Sequence, residues 1–213
     1  MTHFAILLGG DVAPTPRLMR QLEGRRVIAA DSGIRHAGPL GLSPELWTGD
    51  FDSVEPGMAD AFPEVPREVF PSDKDVTDGE IAIETAIRRG ATSLLLAGAF
   101  GGPRPDHAFL HMAMALSLAE RGLDVLLSSG DQEGLPLLPG DSAFDYPAGT
   151  LFSVVGFTPL SGLTLSGAKW PLDRHEVPFG SSLTLSNAVA DRLTARLATG
   201  RALLIAHTGP EAR

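Results

Sequence analysis

The sequence predicts an α/β domain followed by a smaller all-β domain. Up to about residue 130, short apolar runs alternate with helical patterns, whereas only short β-like runs follow. Strands that alternate with helices are typical of a mostly parallel sheet with both faces covered, which is a doubly wound domain. We therefore predict a doubly wound α/β domain at residues 1–130 and a small antiparallel β-sandwich at residues 131–213.

Local patterns place the elements of the first half. Thr77 is a good N-cap and Glu80 completes a capping box, so a helix is expected at residues 77–89. A second helix is predicted to begin at Pro105 and to end at Gly122. Apolar runs bounded by glycine or polar residues predict buried strands at residues 4–8, 27–30, 94–97 and 125–127.

The second half contains short apolar runs that turn residues separate. One of these runs, residues 182–185, alternates between polar and apolar side chains, which is the pattern of a half-buried strand. The predicted strands are residues 151–157, 163–165, 182–185, 193–197 and 202–206.

Charge and composition exclude several classes of protein. The 213 residues include 26 acidic and 17 basic ones, so no basic face is available to bind nucleic acid. The chain has no cysteine, which excludes disulfides and thiolate chemistry and fits a reducing compartment. No apolar segment reaches the ~18 residues that a membrane span needs. The apolar run near the N-terminus is too short for a signal peptide, so we expect a soluble, cytoplasmic protein.

Acidic clusters at strand ends and helix starts predict a ligand site in the first half. In an extended chain, Asp50 and Asp52 would point to one side while Phe51 turns into the core. Two acids that flank a buried aromatic residue repel each other unless a cation is close. In open α/β sheets, ligands bind at this edge. The three clusters lie at residues 49–53, 72–78 and 101–107.

The chemistry of these clusters favours a magnesium ion bound together with phosphate. Mg²⁺ prefers a few carboxylates, completed by water and phosphate oxygens. Asp50, Asp52 and a carboxylate of the second cluster are the candidate ligands, and Lys74 and Arg104 could clamp phosphate oxygens. A single aspartate in a loop is more commonly a turn residue or a helix cap, and this alternative stays open for Asp73 and Asp106.

Two other motifs are excluded or weak. The sequence lacks a Walker lysine motif, so a P-loop enzyme is excluded. His107 and His111 are four residues apart on one helix face, which permits a metal site. Because no glutamate completes an HExxH arrangement, packed or hydrogen-bonded histidines are favoured here.

Taken in order, these motifs resemble the thiamine pyrophosphokinase family. The similarity extends over nearly the whole chain, and the ordered set is more specific than any single block. Departures from the family occur at residues 31–35, at Pro103 and at His111, where asparagine is common. The blocks are Ala-Asp-Ser-Gly at 30–33, Gly-Asp-Phe-Asp-Ser at 49–53, Lys-Asp-Val-Thr-Asp-Gly-Glu at 74–80, Gly-Pro-Arg-Pro-Asp-His at 102–107, Gly-Ala-Lys-Trp-Pro-Leu at 167–172 and Ser-Asn at 186–187.

The resemblance implies a homodimer that transfers a pyrophosphoryl group from ATP to thiamine with Mg²⁺. It places each active site between the α/β domain of one subunit and the β domain of the other. Whether Asp75 or Asp78 contacts the metal is left open. By resemblance, the metal ligands and catalytic acids are Asp50, Asp52 and Asp78, and Arg104 joins them in catalysis. The resemblance also implies nucleotide-binding residues, which are Asp31, Ser32, Gly33, Lys74, Asp75, Arg104 and Asp106. The thiamine-binding residues that it implies are Trp170, Ser186 and Asn187.

Three alternatives remain at the level of the sequence. The same chemistry could act on another alcohol, such as a hydroxymethylpterin. The same acids could serve a Mg²⁺-dependent phosphohydrolase that uses water as the acceptor. A non-catalytic nucleotide or thiamine sensor would bind without releasing AMP. The blocks at 167–172 and 186–187 favour thiamine, and the dense acidic cluster favours catalysis.

Overall fold

The computed structural model describes residues 1–51, 57–71 and 75–209. The predicted site residues Asp52 and Lys74, together with Asp73, lie outside the described residues. Among the described residues, no helix is both long enough and apolar enough to cross a membrane. The helices are α1 (Pro16–Leu22), α2 (Met58–Ala61), α3 (Asp78–Arg88) and α4 (Pro105–Glu120), and a 3-10 helix spans Asp31–His36.

The strands of the first half form a parallel array in the order β6-β5-β1-β2-β3-β4. From β1 the chain moves outward to β4, then returns to place β5 and β6 on the other side of β1. A reversal of this kind leaves a crevice at the carboxyl ends of the strands. These strands are β1 (His3–Leu7), β2 (Arg26–Ala30), β3 (Leu46–Gly49), β4 (Arg67–Val69), β5 (Ser93–Ala97) and β6 (Asp124–Ser128).

Alternate residues of β1 enter two different cores. Phe4 and Ile6 pack in a cluster that includes buried residues of α3 and α4. Ala5 and Leu7 pack in a second cluster, with α1 and the 3-10 helix. Successive side chains of a strand point to opposite faces, so helices bury both faces of the parallel strands.

The predicted N-cap of the first long helix and the predicted start and end of the second are confirmed. Thr77 is the N-cap of α3, and its Oγ1 accepts a hydrogen bond from the Glu80 N–H at 3.3 Å. Helix α4 begins at Pro105, and Gly122 follows its end with a φ of 87°. Helix α1, which we did not predict, has the same kind of start, because Thr15 caps it through the N–H of Leu18.

The second half is all-β, and its pairings are antiparallel. Strand β7 also pairs antiparallel with β6, through Leu127 opposite Gly134, so the sheet continues across the predicted boundary at residue 130. The prediction of an α/β part followed by an all-β part is thereby confirmed, and the sheet that the two parts share is mixed. The strands are β7 (Gln132–Leu137), β8 (Gly140–Phe144), β9 (Leu151–Gly156), β10 (Leu160–Ala168), β11 (Leu172–Val177), β12 (Asn187–Leu197) and β13 (Ala202–His207).

Strand β13 connects the cores of the two halves. Leu203 belongs to the core beneath α3 and α4, whereas Leu204 belongs to the core of the all-β half. The second core contains buried residues of all seven strands from β7 to β13. One strand therefore buries apolar side chains in both halves, which fixes their relative orientation.

The prediction of a strand at residues 182–185 is wrong. This segment forms a turn, in which the Leu185 N–H donates to the Ser182 carbonyl at 3.1 Å. Thr184 is buried, and its hydroxyl donates to the Val154 carbonyl at 2.6 Å. Leu183 and Leu185 are exposed. Burial does alternate along the segment, but in the opposite sense to the prediction: the polar Thr184 is buried because its hydroxyl has a buried hydrogen-bond partner, and the leucines on either side are exposed.

A buried carboxylate fastens α1 to the all-β half. Glu133 in β7 is 1% exposed and accepts hydrogen bonds from three side chains. Its Oε1 accepts from Arg17 Nε at 2.5 Å and from Gln21 Nε2 at 2.7 Å. Its Oε2 accepts from the Tyr146 hydroxyl at 3.0 Å. Burial, followed by the negative charge of Glu133, raises the pKa of Tyr146, so this hydroxyl remains a donor.

We expect Tyr146→Phe to lower the free energy of unfolding by about 2 kcal/mol, because a buried carboxylate loses one donor. Urea denaturation followed by circular dichroism measures the change. A variant as stable as the wild type would show that Arg17 and Gln21 satisfy Glu133 without help.

Candidate active site

A cleft of about 490 Å³ lies at the carboxyl ends of β1, β2, β3 and β5, beside the start of α3. Its walls combine glycine turns, carboxylates and cations. Most of the described residues that we predicted for nucleotide and metal binding meet here, although they come from separate loops. The predicted residues among its lining are Asp31, Ser32, Asp50, Asp78 and Arg104.

Two glycine turns form one wall of the cleft. The Gly10 N–H donates to the Gly98 carbonyl at 3.1 Å, which joins the turn after β1 to the turn after β5. A Cβ at Gly10 would lie 2.4 Å from the Gly98 oxygen and 2.5 Å from the Phe100 oxygen. Asp11 Oδ2 accepts from the Gly102 N–H at 2.9 Å. Only glycine allows the backbones to approach this closely.

Arg35 and His36 hold the first glycine turn from behind. Arg35 Nη2 donates to the carbonyls of Gly9 and Gly10, at 2.5 and 3.1 Å. His36 Nε2 lies 2.8 Å from the Gly10 oxygen. Burial is the main factor that lowers the pKa of His36. Sequence reasoning missed Arg35, because the Gly-Gly-Asp turn that it contacts is weak as a motif.

The loops after β2 and β3 contain residues in the left-handed conformation. Asp31 has a φ of 43° and Phe51 a φ of 65°. The Asp31 carbonyl accepts a hydrogen bond from the Trp47 indole at 2.8 Å, and the Phe51 ring meets the Trp47 ring edge-on at 4.8 Å. The packing of Phe51 against the core is confirmed, but the expected extended backbone at Phe51 is wrong. Such strain persists where surrounding contacts hold it.

Asp50 and Asp78 reach the same cleft from different elements. Asp50 follows β3, and Asp78 is the first residue of α3. Asp75 is exposed and lies outside the cleft lining, so of this pair the cleft contains Asp78. Within residues 1–51, 57–71 and 75–209, no three metal-ligating side chains form a group. Two carboxylates that line one cleft nevertheless suit Mg²⁺, which takes its other oxygens from phosphate and water.

Arg104 and Asp106 form a bidentate pair at the rim. Arg104 Nε lies 3.0 Å from Asp106 Oδ1, and Nη2 lies 2.7 Å from Oδ2. Both side chains are exposed, and Arg104 lines the cleft whereas Asp106 does not. The Arg104 guanidinium holds the pKa of Asp106 well below its usual range. Asp106 therefore orients Arg104, and a phosphate would have to compete for the same guanidinium edge.

Gly33 has a structural position behind the cleft wall. A Cβ at Gly33 would lie 2.1 Å from the Leu7 carbonyl oxygen, so glycine lets the 3-10 helix pack against β1. Among the described residues it is absent from the cleft lining. A direct contact of Gly33 with a nucleotide remains a prediction.

The predicted thiamine residues form a separate cluster in the all-β half. Asn187 is buried, and its side chain forms two hydrogen bonds with the backbone of Trp170. Asn187 Nδ2 donates to the Trp170 carbonyl at 2.8 Å, and Asn187 Oδ1 accepts from the Trp170 N–H at 3.1 Å. Ser186 has a φ of 57° and is exposed beside it. The Trp170 ring is 55% exposed, with Lys169 Nζ 4.6 Å from its centroid. In the described part of one chain, none of these residues lines the cleft.

The parallel strands, with an acidic and glycine-lined cleft at their carboxyl edge, define an α/β protein of the class that binds nucleotide phosphates at this position. Residues 21–127 match the model of the thiamin pyrophosphokinase catalytic domain, and residues 144–204 match that of the thiamin pyrophosphokinase vitamin B1 binding domain. The chain belongs to the thiamin pyrophosphokinase family.

Individual relatives agree with this assignment. Thiamine pyrophosphokinase of Bacillus subtilis (strain 168) is 26% identical over 190 residues, which are 85% of this chain and 86% of that protein. A crystal structure of the Bacillus subtilis enzyme has the same fold, with a TM-score of 0.84 at 24% identity, covering 98% of this chain and 100% of the other. The structure of thiamin pyrophosphokinase from Geobacillus thermodenitrificans has a TM-score of 0.80 at 26% identity and covers 100% of both chains.

Proposed function

We propose that this chain is a thiamine pyrophosphokinase that transfers the terminal pyrophosphoryl group of ATP to the hydroxyl of thiamine, yielding thiamine diphosphate and AMP. The observation that supports this most is the convergence of Asp50 and Asp78, from separate loops, on one glycine-walled cleft. Among the alternatives, family membership favours thiamine over another alcohol and catalysis over a phosphohydrolase or a sensor.

The chemistry balances without a further reactant. The thiamine hydroxyl oxygen bonds to the β-phosphorus, the bond from that phosphorus to the oxygen bridging to the α-phosphate breaks, and AMP leaves with this oxygen. The hydroxyl proton is released. Since little covalent chemistry is asked of the protein, its role is to position the reactants and neutralise charge.

Asp50, Asp52 and Asp78 would hold Mg²⁺. When bound, the ion neutralises charge that develops on the phosphate oxygens. Arg104 and Lys74 clamp the remaining phosphate oxygens, and Arg104 is oriented for this role by Asp106. Asp31 and Ser32 would form the β2 side of the nucleotide site. Gly33 would support it from behind the cleft wall, by letting the 3-10 helix pack against β1, and Asp75 lies at its periphery.

We further propose a homodimer in which the thiamine cluster of one subunit covers the cleft of the other. This proposal is supported by the separation of Trp170, Ser186 and Asn187 from the cleft within one chain. Trp170 offers an exposed aromatic face to a flat, cationic substrate. Because the side chain of Asn187 forms hydrogen bonds with the backbone N–H and carbonyl of Trp170, we infer that it acts mainly by fixing the backbone that carries the indole.

The proposed division of the chain is a doubly wound domain at residues 1–130 and a β-sandwich at residues 131–213. The two apolar clusters on the faces of the parallel strands support the first, and the core between the two antiparallel layers supports the second. A cytoplasmic location is proposed because the co-substrate ATP is abundant there.

Subunit mixing tests the shared site. Asp50→Asn and Trp170→Ala should each be inactive alone, since one impairs the cleft and the other the thiamine cluster. After the two variants are mixed and subunits exchange, half of the dimers are hybrids with one intact site, so activity should recover to about a quarter of wild type. The assay measures AMP and thiamine diphosphate by chromatography.

Two outcomes would contradict parts of this proposal. If mixing restores no activity although mass spectrometry detects hybrid dimers, each site is contained within one subunit. If wild-type protein releases AMP without thiamine, or binds ATP and thiamine without releasing AMP, the transferase assignment fails.

A further inference from the structure

Arg35 places a guanidinium at the wall of the cleft. Its Nη2 donates to the carbonyls of Gly9 and Gly10, at 2.5 and 3.1 Å, and its Nη1 donates to the carbonyl of Ser32 at 3.4 Å. Arg35 and all three acceptor residues line the cleft. Because each hydrogen bond ties the guanidinium to a residue of the lining, the charged group itself lies at the cleft. Its position is fixed before a ligand arrives, which lowers the entropy lost on binding.

No carboxylate of the described residues neutralises this guanidinium. The ion pairs in that part of the chain do not include Arg35, and hydrogen bonds to carbonyls leave its full charge in place. Arg104, which also lines the cleft, instead lies 2.7 Å from a carboxylate oxygen of Asp106. Arg35 is half-buried, whereas Arg104 is exposed at the rim. Since partly buried charges are screened less than exposed ones, Arg35 acts more strongly on an anion in the cleft.

Two donors of the Arg35 guanidinium remain for a ligand. A guanidinium carries five N–H groups. The bonds to the three carbonyls engage both N–H groups of Nη2 and one of Nη1, so the Nε–H and the second Nη1 N–H have no partner among the described residues. Arginine forms short, charge-assisted hydrogen bonds with phosphate oxygens. The guanidinium therefore combines a fixed position, a full charge and available donors.

Arg35 also changes how the glycine turn acts on an anion. The carbonyl oxygens of Gly9 and Gly10 carry partial negative charge, and Asp31 and Asp50 line the same cleft. Groups of this kind repel phosphate. Because the Arg35 guanidinium lies against the two carbonyls, it offsets their negative charge. A polyphosphate, which carries several negative charges, is therefore stabilised at this wall more than an uncharged ligand is.

We propose that Arg35 is a phosphate-binding residue, whose guanidinium contacts the polyphosphate of the bound ATP at the wall formed by the Gly9-Gly10 turn. The proposal rests on the proposed function, because it takes the cleft to be the ATP site. It adds a cation from the 3-10 helix to the two that were assigned to phosphate, Arg104 and Lys74. Unlike Arg104, Arg35 can bind phosphate without releasing a carboxylate.

The test compares Arg35→Gln with the wild type by titration calorimetry. The ligand is α,β-methylene-ATP, which cannot be cleaved at the reacting bond. Loss of a charged hydrogen bond to phosphate should raise the Kd of this analogue roughly 10- to 100-fold. Arg35→Lys keeps the charge but not the planar fork, so its Kd should rise less. Arg121→Gln is the matched control, because it removes the same charge from an exposed ion pair with Glu84 outside the cleft lining, and it should bind as wild type.

Salt dependence gives a second readout, which a purely structural arginine would not change. Added NaCl screens the attraction between Arg35 and phosphate, so the ratio of the Kd of Arg35→Gln to that of wild type should fall as NaCl is raised. In steady-state kinetics, Arg35→Gln should raise the KM for ATP and leave the KM for thiamine unchanged.

A measurement on the wild type covers the case in which Arg35→Gln does not fold. The ¹⁵N resonance of the Arg35 Nε–H is assigned through its absence in Arg35→Lys. It should shift on addition of α,β-methylene-ATP but not of adenosine, because adenosine has no phosphate. An unchanged resonance with the analogue, or an equal shift with adenosine, would overturn the proposal.

The calorimetric outcomes separate this proposal from the proposed function. If folded Arg35→Gln binds the analogue as tightly as Arg121→Gln does, Arg35 does not contact phosphate, and the proposed function still stands. A loss of affinity that is the same at every NaCl concentration, and no smaller in Arg35→Lys, would show that Arg35 only holds the glycine turn in place and would also overturn the proposal. Failure of the wild type to bind the analogue would overturn both.

Discussion

Asp50→Asn is expected to lower the rate of thiamine diphosphate formation by roughly 10²–10³-fold, because a preorganised charge next to the transferring group is lost. The substitution keeps the shape of the side chain and removes its negative charge. Asp50 lies at the end of β3, and Asp78 faces the same cleft from α3. Asp78→Asn should therefore have an effect of similar size.

The measurement is a time course of AMP and thiamine diphosphate at saturating ATP, with Mg²⁺ varied. Both variants should show a raised Mg²⁺ requirement and a melting temperature close to that of wild type.

Asp75→Asn tests which of Asp75 and Asp78 contacts the metal, a question that the sequence left open. Its effect should be small because Asp75 lies outside the cleft lining. Asp141→Asn, with an exposed side chain on β8, is the surface control. Near-wild-type turnover of Asp50→Asn at ordinary Mg²⁺ would refute the role of Asp50.

Convergence of the acids could be predicted from the sequence because it depends on one rule of topology. The carboxyl ends of parallel strands meet at one edge, so residues that follow such strands become neighbours whatever their separation in the chain. Asp31 and Asp50 follow β2 and β3, and Asp78 begins the next long helix. Periodicity and capping predicted β2 and the helix α3, since each is encoded within a few residues, whereas β3 was not among the predicted strands.

Contacts between distant segments could not be predicted in the same way. The alternation at residues 182–185 favours a strand, but the hydrogen bonds of Thr184 with Val154 reverse which side is buried. The hydrogen bonds of Asn187 with Trp170 were equally beyond prediction, because they form only when β12 lies beside the end of β10. The role of Arg35 likewise depends on which backbones approach in space.

Gly10→Ala is expected to be strongly destabilising, because the added methyl group has no space in the cleft wall. The new Cβ would lie 2.4 Å from the Gly98 oxygen and 2.5 Å from the Phe100 oxygen. Both obstacles are backbone atoms, so no rotamer change relieves them. Gly10 does not have a left-handed φ, and the conflict is therefore one of space rather than of backbone conformation. We expect a loss of at least about 3 kcal/mol in the free energy of unfolding, as in overpacked cores.

Gly10→Ala should also weaken nucleotide binding in the molecules that still fold. The Gly10 carbonyl is held by Arg35 and His36, and its N–H binds the Gly98 carbonyl, so a shift of this turn displaces two walls of the cleft together. In the fraction that folds, the Kd of α,β-methylene-ATP should rise at least about 100-fold, because the nucleotide meets a misplaced surface.

Gly38→Ala is the matched control for this argument. It makes the same chemical change in the same half of the chain, yet a Cβ there would meet no atom within 4 Å and the backbone is not left-handed. Its stability and nucleotide affinity should equal those of wild type. Urea denaturation and titration calorimetry on both variants provide the comparison. If Gly10→Ala were as stable and as tightly binding as Gly38→Ala, the turns after β1 and β5 would have room to separate, and the close approach of their backbones would not be what shapes the cleft.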